Sequence, residues 1–522
     1  MIQPRPVSSR SNSPTMLTSD RLRIVLAASE AVPFSKTGGL ADVSMALAKS
    51  LDGLGHSVTV IVPDYRQLRL AKREQLPAVT DSGLRFSISM HGRYVPGGVN
   101  WTMLPDSGVK VLLVSQSDYF DRPQLYMEDG QGYQDNCARF CFFSRAVMDV
   151  CQQMVLRPDI IHCNDWQTGL IPALLHSQFA GRPGFENAAS VMTLHNMAFQ
   201  GRFWSPDMPL TGMDGRYFNM HHMESWGDLN LLKTGISFAD QITTVSPTYA
   251  QEVCTADGGE GLDSLLSYRS DDLAGILNGI DTSIWDPESD PHLPASYSAH
   301  NIDLGKGICK SGLQKRMGLP QRDRVPLFGM VSRMSDQKGF DLIEECASRL
   351  LFDDIQIAFL GTGDPRYEDY LQHLAHEHPS KVAVYIGFDE GLAHQIEAGA
   401  DGFLMPSRFE PCGLNQMYSL RYGTLPIVRR IGGLADSVVN VEPETLRAGV
   451  ATGFVFDDYT SPQLVETIER AVELYRQPHV WQQVMKTGMS TDWSWKNSAR
   501  HYVETYRRAL ERRHDRAADN RQ

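Results

Sequence analysis

The sequence lacks long apolar runs, paired cysteine motifs and an excess of positive charge, and each absence excludes a class of protein. No hydrophobic stretch reaches the roughly 20 residues that a membrane-spanning helix needs. The formal net charge is -13, which disfavours a general affinity for nucleic acid or for an anionic membrane. The eight cysteines show neither C-x-x-C pairs nor the spacing of a disulfide scaffold, which indicates a reducing compartment.

Several ligand-binding motifs are also missing. The chain has no P-loop, no G-x-G-x-x-G dinucleotide motif and no H-E-x-x-H zinc motif. The pairs His162/His195 and His221/His222 leave a metal site as an alternative, but they lack a ligand spacing typical of zinc. We therefore expect no metal.

The first 20 residues are rich in Ser, Pro and Arg and contain no acid before Asp20. They lack the apolar core of a secretory signal. We expect a disordered tail over residues 1–20, with a remnant of a plastid transit peptide as the alternative, because such peptides are also rich in Ser and Arg. The corresponding compartments are the cytoplasm and, as the alternative, the plastid stroma.

The length of 522 residues, with 42% hydrophobic and 21% charged residues, fits a globular chain of two domains. Short apolar runs alternate with helical patterns in both halves, which is typical of parallel sheets built from βαβ units. We predict strands at Leu22–Ser29, Val58–Pro63, Val111–Ser115, Asp159–Cys163, Ser190–Leu194, Ile242–Val245, Leu327–Ser332, Ile355–Gly361, Val382–Ile386, Gly402–Met405, Leu425–Val428 and Gly453–Phe456.

These patterns predict an α/β protein with two Rossmann-like, doubly wound domains that face each other across a cleft. The predicted units are residues 21–275, residues 276–492 and a terminal helical segment over 493–515. A short motif, GGLAD, occurs at Gly38–Asp42 and again at Gly432–Asp436. Each copy follows a predicted strand, which supports two similar halves with ligands beyond the carboxyl ends of the strands.

The first copy of this motif belongs to the segment Lys36-Thr37-Gly38-Gly39. Glycines allow backbone N–H groups to approach an anion, and the helix that follows presents its positive end. Lys36 adds a full charge. A plain tight turn would explain the glycines but not the lysine, so we predict a phosphate-binding turn.

A second cationic segment follows the first strand of the second half. Arg333 stands at the end of that strand, and Lys338 lies before a helix predicted over Phe340–Leu350. Arg binds phosphate oxygens in a planar fork, while Lys neutralises them as a point charge. The pair predicts a diphosphate site, with surface solvation of both side chains as the alternative.

A third segment, Pro406–Gln416, follows a later strand of the same half. Gly413 frees the backbone for close approach to a ligand, so the N–H groups of Leu414 and Asn415 are predicted to face it. Glu410 is placed to accept hydrogen bonds from sugar hydroxyls or to stabilise developing positive charge. Satisfaction of a helix dipole is the alternative for Glu410.

Two segments of the first half, His162–Leu170 and His195–Gly201, also follow strands. Each combines polar side chains with an aromatic residue, a combination that binds sugar rings through stacking and through their hydroxyls. A buried core histidine is the alternative for His162 and for His195.

Taken together, these motifs resemble the bacterial glycogen synthases and plant starch synthases of glycosyltransferase family five. The resemblance extends from about residue 23 to about residue 506. It is carried by Lys36–Val43, His162–Leu170, His195–Gly201, Leu277–Trp285, Arg333–Gly339, Ser407–Gly413 and Gly423–Asp436.

The resemblance implies the GT-B architecture, with a terminal helix that returns to the first domain. It implies retaining transfer of glucose from ADP-glucose to the 4-hydroxyl at the non-reducing end of an α-1,4-glucan such as glycogen, with release of ADP. It implies neither cofactor nor metal, and it leaves the oligomeric state open.

The resemblance also assigns residues to roles. The implied catalytic residues are Glu410, His195, Asp165, Arg333 and Lys338. The implied donor-binding residues are Lys36, Gly38, Gly39, Asn278, Arg333, Lys338, Phe388, Cys412, Gly413, Leu414 and Asn415. The implied acceptor-binding residues are Tyr133, Asn136, Asp165, Trp166 and Asn196.

The sequence departs from the family pattern at two of these positions. Asn415 stands where many relatives carry Thr, and Phe388 stands where Tyr is frequent near the nucleotide base. Tyr418 replaces the second Glu of the Glu-x7-Glu pattern seen in the wider superfamily, which favours the glycogen synthase branch.

Two rival hypotheses remain. One is a retaining glucosyltransferase that uses UDP-glucose or a small acceptor, because its diphosphate site would have the same residues. The other is a non-catalytic glucan-binding paralogue, although the presence of Lys36, Arg333, Lys338 and Glu410 argues against it.

Overall fold

A computed structural model of the chain describes residues 21–71, 74, 76–128 and 130–519. The tail predicted over residues 1–20 lies outside the described residues. The strands are β1 Arg23–Ala27, β2 Ser57–Pro63, β3 Thr80–Met90, β4 Arg93–Met103, β5 Lys110–Ser115, β6 Met127–Glu128, β7 Gln131–Gly132, β8 Ile160–Asn164, β9 Ala189–Leu194, β10 Arg202–Phe203, β11 Glu224–Ser225, β12 Asp228–Asn230, β13 Gln241–Thr244, β14 Leu273–Gly275, β15 Leu327–Val331, β16 Gln356–Gly361, β17 Val382–Ile386, β18 Gly402–Met405, β19 Leu425–Arg429 and β20 Phe454–Phe456.

The helices connect these strands and cover their sheets. They are α1 Gly39–Gly53, α2 Arg66–Ala71, α3 Ser117–Phe120, α4 Asn136–Gln153, α5 Leu170–Ser177, α6 Leu231–Phe238, α7 Pro247–Glu252, α8 Asp263–Tyr268, α9 Ile302–Met317, α10 Phe340–Leu350, α11 Pro365–Glu377, α12 Glu390–Gly399, α13 Asn415–Arg421, α14 Gly432–Ser437, α15 Pro443–Ala448, α16 Ser461–Tyr475, α17 Pro478–Ser490 and α18 Trp495–Asp519.

The first half forms a sheet of nine described strands in the order β14-β13-β9-β8-β1-β2-β5-β4-β3. Its strands pair in parallel from β14 to β5, and β4 and β3 extend the edge as antiparallel strands. The central strands β8 and β9 are buried along their whole length, as expected for a parallel sheet with helices on both faces. Chain order reverses between β1 and β8.

The second half forms a parallel sheet of six described strands in the order β17-β16-β15-β18-β19-β20. In chain order this is 3-2-1-4-5-6, the Rossmann arrangement, with the reversal between β15 and β18. The prediction of an α/β protein with two doubly wound, Rossmann-like domains is therefore confirmed.

The chain crosses between the two sheets twice, and the two crossings run side by side. The backbone N–H of Ile280 donates to the carbonyl of Trp493 at 2.8 Å, and Ile280 also bridges to Ser494. Helix α18 then packs on the first sheet, where Tyr502 and Tyr506 are fully buried beside residues of β1 and β9. The boundaries that we predicted at 275/276 and 492/493 stay predictions.

Helices α7 and α14 form a direct contact between the two halves, which we call the interdomain clasp. Thr248 donates from its backbone N–H and its hydroxyl to Asp436 at 2.8 and 2.7 Å. The Ser246 hydroxyl donates to the carbonyl of Pro411 at 2.7 Å, and the N–H of Gly432 donates to Glu252 at 2.9 Å. The second GGLAD motif thus contacts protein, not open space.

The position of Gly432 in the clasp requires glycine on two counts. Its φ of +43° is disfavoured for other residues, and a Cβ there would lie 2.0 Å from the carbonyl oxygen of Glu410.

Among the described helices, none combines the length and the apolar composition needed to cross a membrane.

Candidate functional site

A cavity of about 550 Å³ lies between the two halves, beyond the carboxyl ends of β15 and β18. This is where chain order reverses in the second sheet, the place at which open α/β sheets bind ligands. The second half contributes Arg333, Lys338 and Glu410, and the first half contributes Thr37 and Gly38. The structure therefore brings together residues of three of the predicted segments.

Arg333 supplies an uncommitted positive charge to this cavity. It lies two residues after the end of β15 and is exposed, and it has no hydrogen-bond or ion-pair partner within the described ranges. A guanidinium left open in this way is ready to bind two oxygens of one anion.

Lys338 and Glu410 form an ion pair at the floor of the cavity. The Lys338 Nζ lies 2.5 Å from Oε2 of Glu410, which also accepts a 3.1 Å hydrogen bond from the Ser407 hydroxyl. The Glu410 side chain is only 8% exposed, against 25% for Lys338. A carboxylate so buried orients the ammonium and keeps one oxygen, Oε1, for a further partner.

The turn after β18 lines the same cavity with Gly413, Leu414 and Asn415. The side chain of Asn415 donates to the carbonyl of Val331 at 2.7 Å. That bond ties the turn to the end of β15, so the Asn415 side chain serves the scaffold while its backbone remains at the cavity.

Phe388 stands at the edge of the cavity and is 85% exposed. It follows Gly387, whose φ is +138°, after the last residue of β17. An aromatic ring that projects so far into solvent beside an anion site offers a face on which a planar base can stack.

The Gly-rich turn of the first half is held by a carboxylate that our sequence analysis missed. Glu30 is 4% exposed and accepts hydrogen bonds from the N–H and hydroxyl of Thr37 at 2.5 and 2.6 Å, from the N–H of Gly38 at 3.3 Å and from the Tyr126 hydroxyl at 2.7 Å. The sequence does contain a signal for this role, because Glu30 is a carboxylate directly after the predicted strand Leu22–Ser29.

Space remains open on the outer side of this turn. A Cβ at Gly38 or Gly39 would meet no atom within 4 Å, and the first turn of α1 carries N–H groups without intrahelical partners. Lys36 does not line the cavity but pairs with Asp42 at 2.8 Å, with 50% of its side chain exposed. Exposed pairs of this kind are weak, so Lys36 is free to exchange Asp42 for a ligand.

Asp165 and His195 meet at the carboxyl ends of β8 and β9. The backbone N–H of His195 donates to Oδ1 of Asp165 at 2.8 Å. The His195 Nε2 donates to Oδ1 of Asn164 at 2.9 Å, since the Asn164 amide group is already turned to donate to Ala27 at 3.0 Å. Nδ1 is thereby left as the acceptor of the neutral ring.

Burial shifts both groups towards their neutral forms. The pKa of Asp165 is raised to about 7, chiefly by burial and further by the charge of Glu30, against hydrogen bonds from the His195 and Asn196 backbone. The pKa of His195 is lowered to about 4 by burial.

His162, in contrast, is a core residue that forms hydrogen bonds with Tyr506 at 2.8 Å and with Thr193 at 2.6 Å.

These shifts act on stability in opposite directions. The folded protein holds the Asp165 proton more tightly than the unfolded chain, so this group lowers the free energy of unfolding as pH rises from about 4 to about 7. The folded protein loses the His195 proton more readily, so His195 raises the free energy of unfolding as pH rises from about 4 to about 6.5.

Asp165→Asn keeps an acceptor oxygen for the His195 N–H but removes the titration. We expect the thermal unfolding midpoint of the variant to match the parent near pH 4.5 and to exceed it by about 5 °C at pH 8. Calorimetry across this pH range measures the difference. An offset that stays constant with pH would contradict the raised pKa.

Several predicted residues do not line the cavity beside Arg333, and their roles stay predictions. Trp166 is 9% exposed and packs edge-on against Phe140 and Phe203, with centroids at 4.9 and 5.6 Å. It supports Asp165 from below and presents no free face for a sugar. The adjacent Gly201 permits this packing, because a Cβ there would lie 2.4 Å from the indole.

Asn278 and Cys412 lie outside the lining of the main cavity. Asn278 lines a second cavity of about 360 Å³, between β14 and α18. Cys412 is 6% exposed, and burial raises the pKa of its thiol to about 12. The structure thus gives neither side chain a direct contact with the space beside Arg333.

The remaining predicted acceptor residues have partners within the protein. The Tyr133 ring lies close to the guanidinium groups of Arg122 and Arg139, whose central carbons are 4.6 and 4.9 Å from the ring centroid. Asn136 donates to the carbonyl of Tyr126 at 2.9 Å, and Asn196 accepts from the Ala198 N–H at 3.0 Å. Their acceptor roles stay predictions.

No cluster of three or more potential metal-ligating side chains occurs in the part of the chain that the structure describes. The basic side chains among the described lining residues of the cavity are Arg333 and Lys338. Of the two lining carboxylates, Glu410 and Asp389, Glu410 is the one that pairs with Lys338. This arrangement suits a ligand with a diphosphate and a sugar.

Comparison with known proteins agrees with the geometry. The first half, residues 23–268, matches the family described as the starch synthase catalytic domain, and residues 314–486 match the glycosyl transferases group 1 family. Glycogen synthase of Anaeromyxobacter sp. (strain Fw109-5) is 44% identical over 93% of this chain and 99% of its own. Glycogen synthase of Geobacillus stearothermophilus is 43% identical over 94% and 98%.

Solved structures give the same relation. The catalytic domain of starch synthase IV from Arabidopsis thaliana, bound to ADP and acarbose, is 34% identical with a TM-score of 0.86, over 94% of this chain and 100% of that one. Sucrose-phosphate synthase from Thermosynechococcus elongatus, at 15% identity and a TM-score of 0.57 over 94% and 100%, shares the GT-B fold.

Proposed function

This chain belongs to the glycogen and starch synthase family of glycosyltransferases, and we propose that it transfers glucose from ADP-glucose to the 4-hydroxyl at the non-reducing end of an α-1,4-glucan, with retention of configuration. The observation that carries the proposal is the open guanidinium of Arg333 beside the Lys338–Glu410 pair, at the strand reversal of the second sheet.

The leaving group is a nucleoside diphosphate, so the barrier falls when developing negative charge on its oxygens is stabilised. Arg333 and Lys338 supply two cations at that position, which is preorganised electrostatic stabilisation. The backbone at Leu414 and the turn at Gly38 close around the phosphates from opposite sides. We propose on this basis that the reaction requires neither a metal nor a cofactor.

Glu410 faces the sugar in this proposal. Its buried carboxylate has one oxygen bonded to Lys338 and Ser407, and the other accepts from a glucose hydroxyl and stabilises the oxocarbenium-like centre. Attack from the leaving-group face retains configuration without a protein nucleophile. A short-lived covalent intermediate is the alternative route to the same product.

The acceptor approaches from the first half. His195 offers Nδ1 to a hydroxyl, and Asp165 fixes the loop that carries His195 through the 2.8 Å hydrogen bond. Closure of the two halves on the donor excludes water, which would otherwise hydrolyse the sugar phosphate. We propose the cytoplasm as the compartment.

The test is transfer of labelled glucose to glycogen from ADP-glucose and, separately, from UDP-glucose, each in the presence of EDTA. We expect strong incorporation from ADP-glucose that α-1,4-specific digestion releases. Incorporation from UDP-glucose alone would overturn the donor. Loss of transfer in EDTA would overturn the metal-free reaction, and glucan binding without transfer from either donor would favour a non-catalytic protein.

Phe388→Ala tests the stacking face proposed for the nucleotide base. We expect the KM for ADP-glucose to rise about tenfold with kcat changed less than threefold, because the contact is the same in the ground state and transition state. Phe352→Ala is the matched control: this ring is 84% exposed in the same half but does not line the cavity. Equal KM values for the two variants would contradict the assignment.

A further inference from the structure

Several aromatic side chains of the first half project into solvent although nothing in the proposed reaction uses them, and three of these lie within residues 199–226. Phe199, Trp204 and Trp226 are 61, 72 and 82% exposed. We call these three residues the outer aromatic platform. Exposed tryptophans are unusual, because the indole ring is large and mostly apolar.

The platform is built on a small three-stranded sheet with the order β10-β12-β11. Phe203 of β10 pairs with Leu229 of β12, and Ser225 of β11 pairs with Asp228 of β12. Trp204 follows Phe203 and Trp226 follows Ser225, so both tryptophans lie at the same end of this sheet. One strand separates them, which corresponds to roughly 10 Å between their backbones.

Hydrogen bonds and turn geometry hold the backbone at Trp226 and next to Phe199. Trp226 has a φ of +55°, and its turn is held by the N–H of Gly227, which donates to Glu224 at 2.6 Å. Next to Phe199, Gln200 donates to the carbonyl of Glu260 at 2.8 Å and accepts from Asn230 at 2.7 Å. A backbone held in this way loses little conformational freedom when a ligand covers the rings that it carries.

The platform is continuous with the proposed acceptor side of the cleft. Phe199 lies four residues after His195 on the same loop. Trp204 follows Phe203, whose ring contacts Trp166 at 5.6 Å, and Trp166 follows Asp165. A chain whose end lies at His195 therefore has a direct path onto these rings.

The surface between the tryptophans is polar. The ion pair of Arg202 with Asp228, at 2.8 Å with side chains 45 and 39% exposed, lies on the two strands beside Trp204. Alternating rings and hydrogen-bonding groups match a polysaccharide, which presents apolar ring faces between hydroxyls. A contact with a second copy of the chain would favour a core depleted of charge.

We propose that the outer aromatic platform is a remote subsite for the acceptor, where an α-glucan chain stacks several sugar units away from the end that is extended. This inference rests on the proposed function for its ligand. It predicts that the enzyme distinguishes long acceptors from short ones by binding, because we expect a trisaccharide at His195 to leave the tryptophans uncovered.

The experiment compares Trp204→Ala/Trp226→Ala with Tyr94→Ala, a control ring that is 78% exposed in the same half at the β3–β4 hairpin. Retardation in native gels that contain glycogen, with no donor present, reports binding alone. We expect the dissociation constant for glycogen to rise about tenfold in the double variant and to stay unchanged in the control. With maltotriose as acceptor, kcat/KM should change less than twofold.

Three other results would contradict the proposed subsite. Unchanged retardation of the double variant would overturn the platform, and so would an equal loss with maltotriose. A change in sedimentation with unchanged glycogen binding would assign the rings to a contact between copies and overturn it as well. If the parent protein binds glycogen through these rings yet transfers no glucose, the proposed function fails while the platform stands.

Discussion

Replacement of Arg333 by alanine is expected to lower kcat/KM for ADP-glucose about 10³-fold, or about 4 kcal/mol of transition-state stabilisation. The guanidinium is the cation of the cavity without a partner in the described structure, so its charge is available to the leaving diphosphate. Because that charge grows as the glycosidic bond breaks, most of the loss should occur in kcat. Steady-state kinetics with glycogen as acceptor measure it.

The control for this prediction is Arg430→Ala. Arg430 is also an exposed arginine after a strand of the second sheet, but it pairs with Asp457 at 2.6 Å and does not line the cavity. Its removal should cost less than twofold in kcat/KM. If the two alanine variants had similar activity, the diphosphate site would have to lie elsewhere.

Glu410→Gln is expected to lower kcat about 10²-fold while KM for ADP-glucose changes little. The amide keeps the shape of the carboxylate but removes the charge that orients Lys338 and that would stabilise a positive sugar centre. Both effects matter most in the transition state. The measurement is single-turnover transfer at saturating donor, which separates the chemical step from binding.

Ser407→Ala provides the graded comparison for Glu410. It removes only the neutral 3.1 Å hydrogen bond to the same oxygen and should cost less than tenfold. A Glu410→Gln variant no slower than Ser407→Ala would show that the carboxylate holds the fold together instead of taking part in transfer. Unfolding midpoints of both variants should stay within a few degrees of the parent.

Sequence reasoning succeeded where one local rule determined the result. The buried parallel strands read as short apolar runs, so every strand predicted from such a run has a counterpart within two residues at each end. Ligand residues at strand ends, such as Arg333 and Glu410, then follow from the geometry of parallel sheets. That these residues meet at one cavity could therefore be predicted without knowing any distance between them.

The antiparallel edge of the first sheet was missed for a physical reason. β3 alternates exposed and buried residues with Ser, Gly and Arg among them, and β4 contains Pro96, Gly97 and Gly98. One face of such an edge is solvated, so its sequence resembles a loop more than a core strand.

Trp166 and Asn278 do not line the cavity beside Arg333, although both belong to segments that we predicted for the site. Trp166 packs against Phe140 and Phe203, and Asn278 lines the second cavity. The direction of a side chain depends on tertiary contacts, such as Gly201 beneath Trp166. Glu30 was overlooked for the opposite reason, since its role becomes visible only through the four groups that donate to it.

Helix α18 has a consequence for the order in which the protein folds on the ribosome. Tyr502 and Tyr506 complete the core that contains β1 and β9, yet they are synthesised after the entire second sheet. Domains usually fold from the amino terminus during synthesis, but here the part of the first sheet that α18 covers stays exposed until the second domain has been made. The second domain, which has its own core, can therefore finish first.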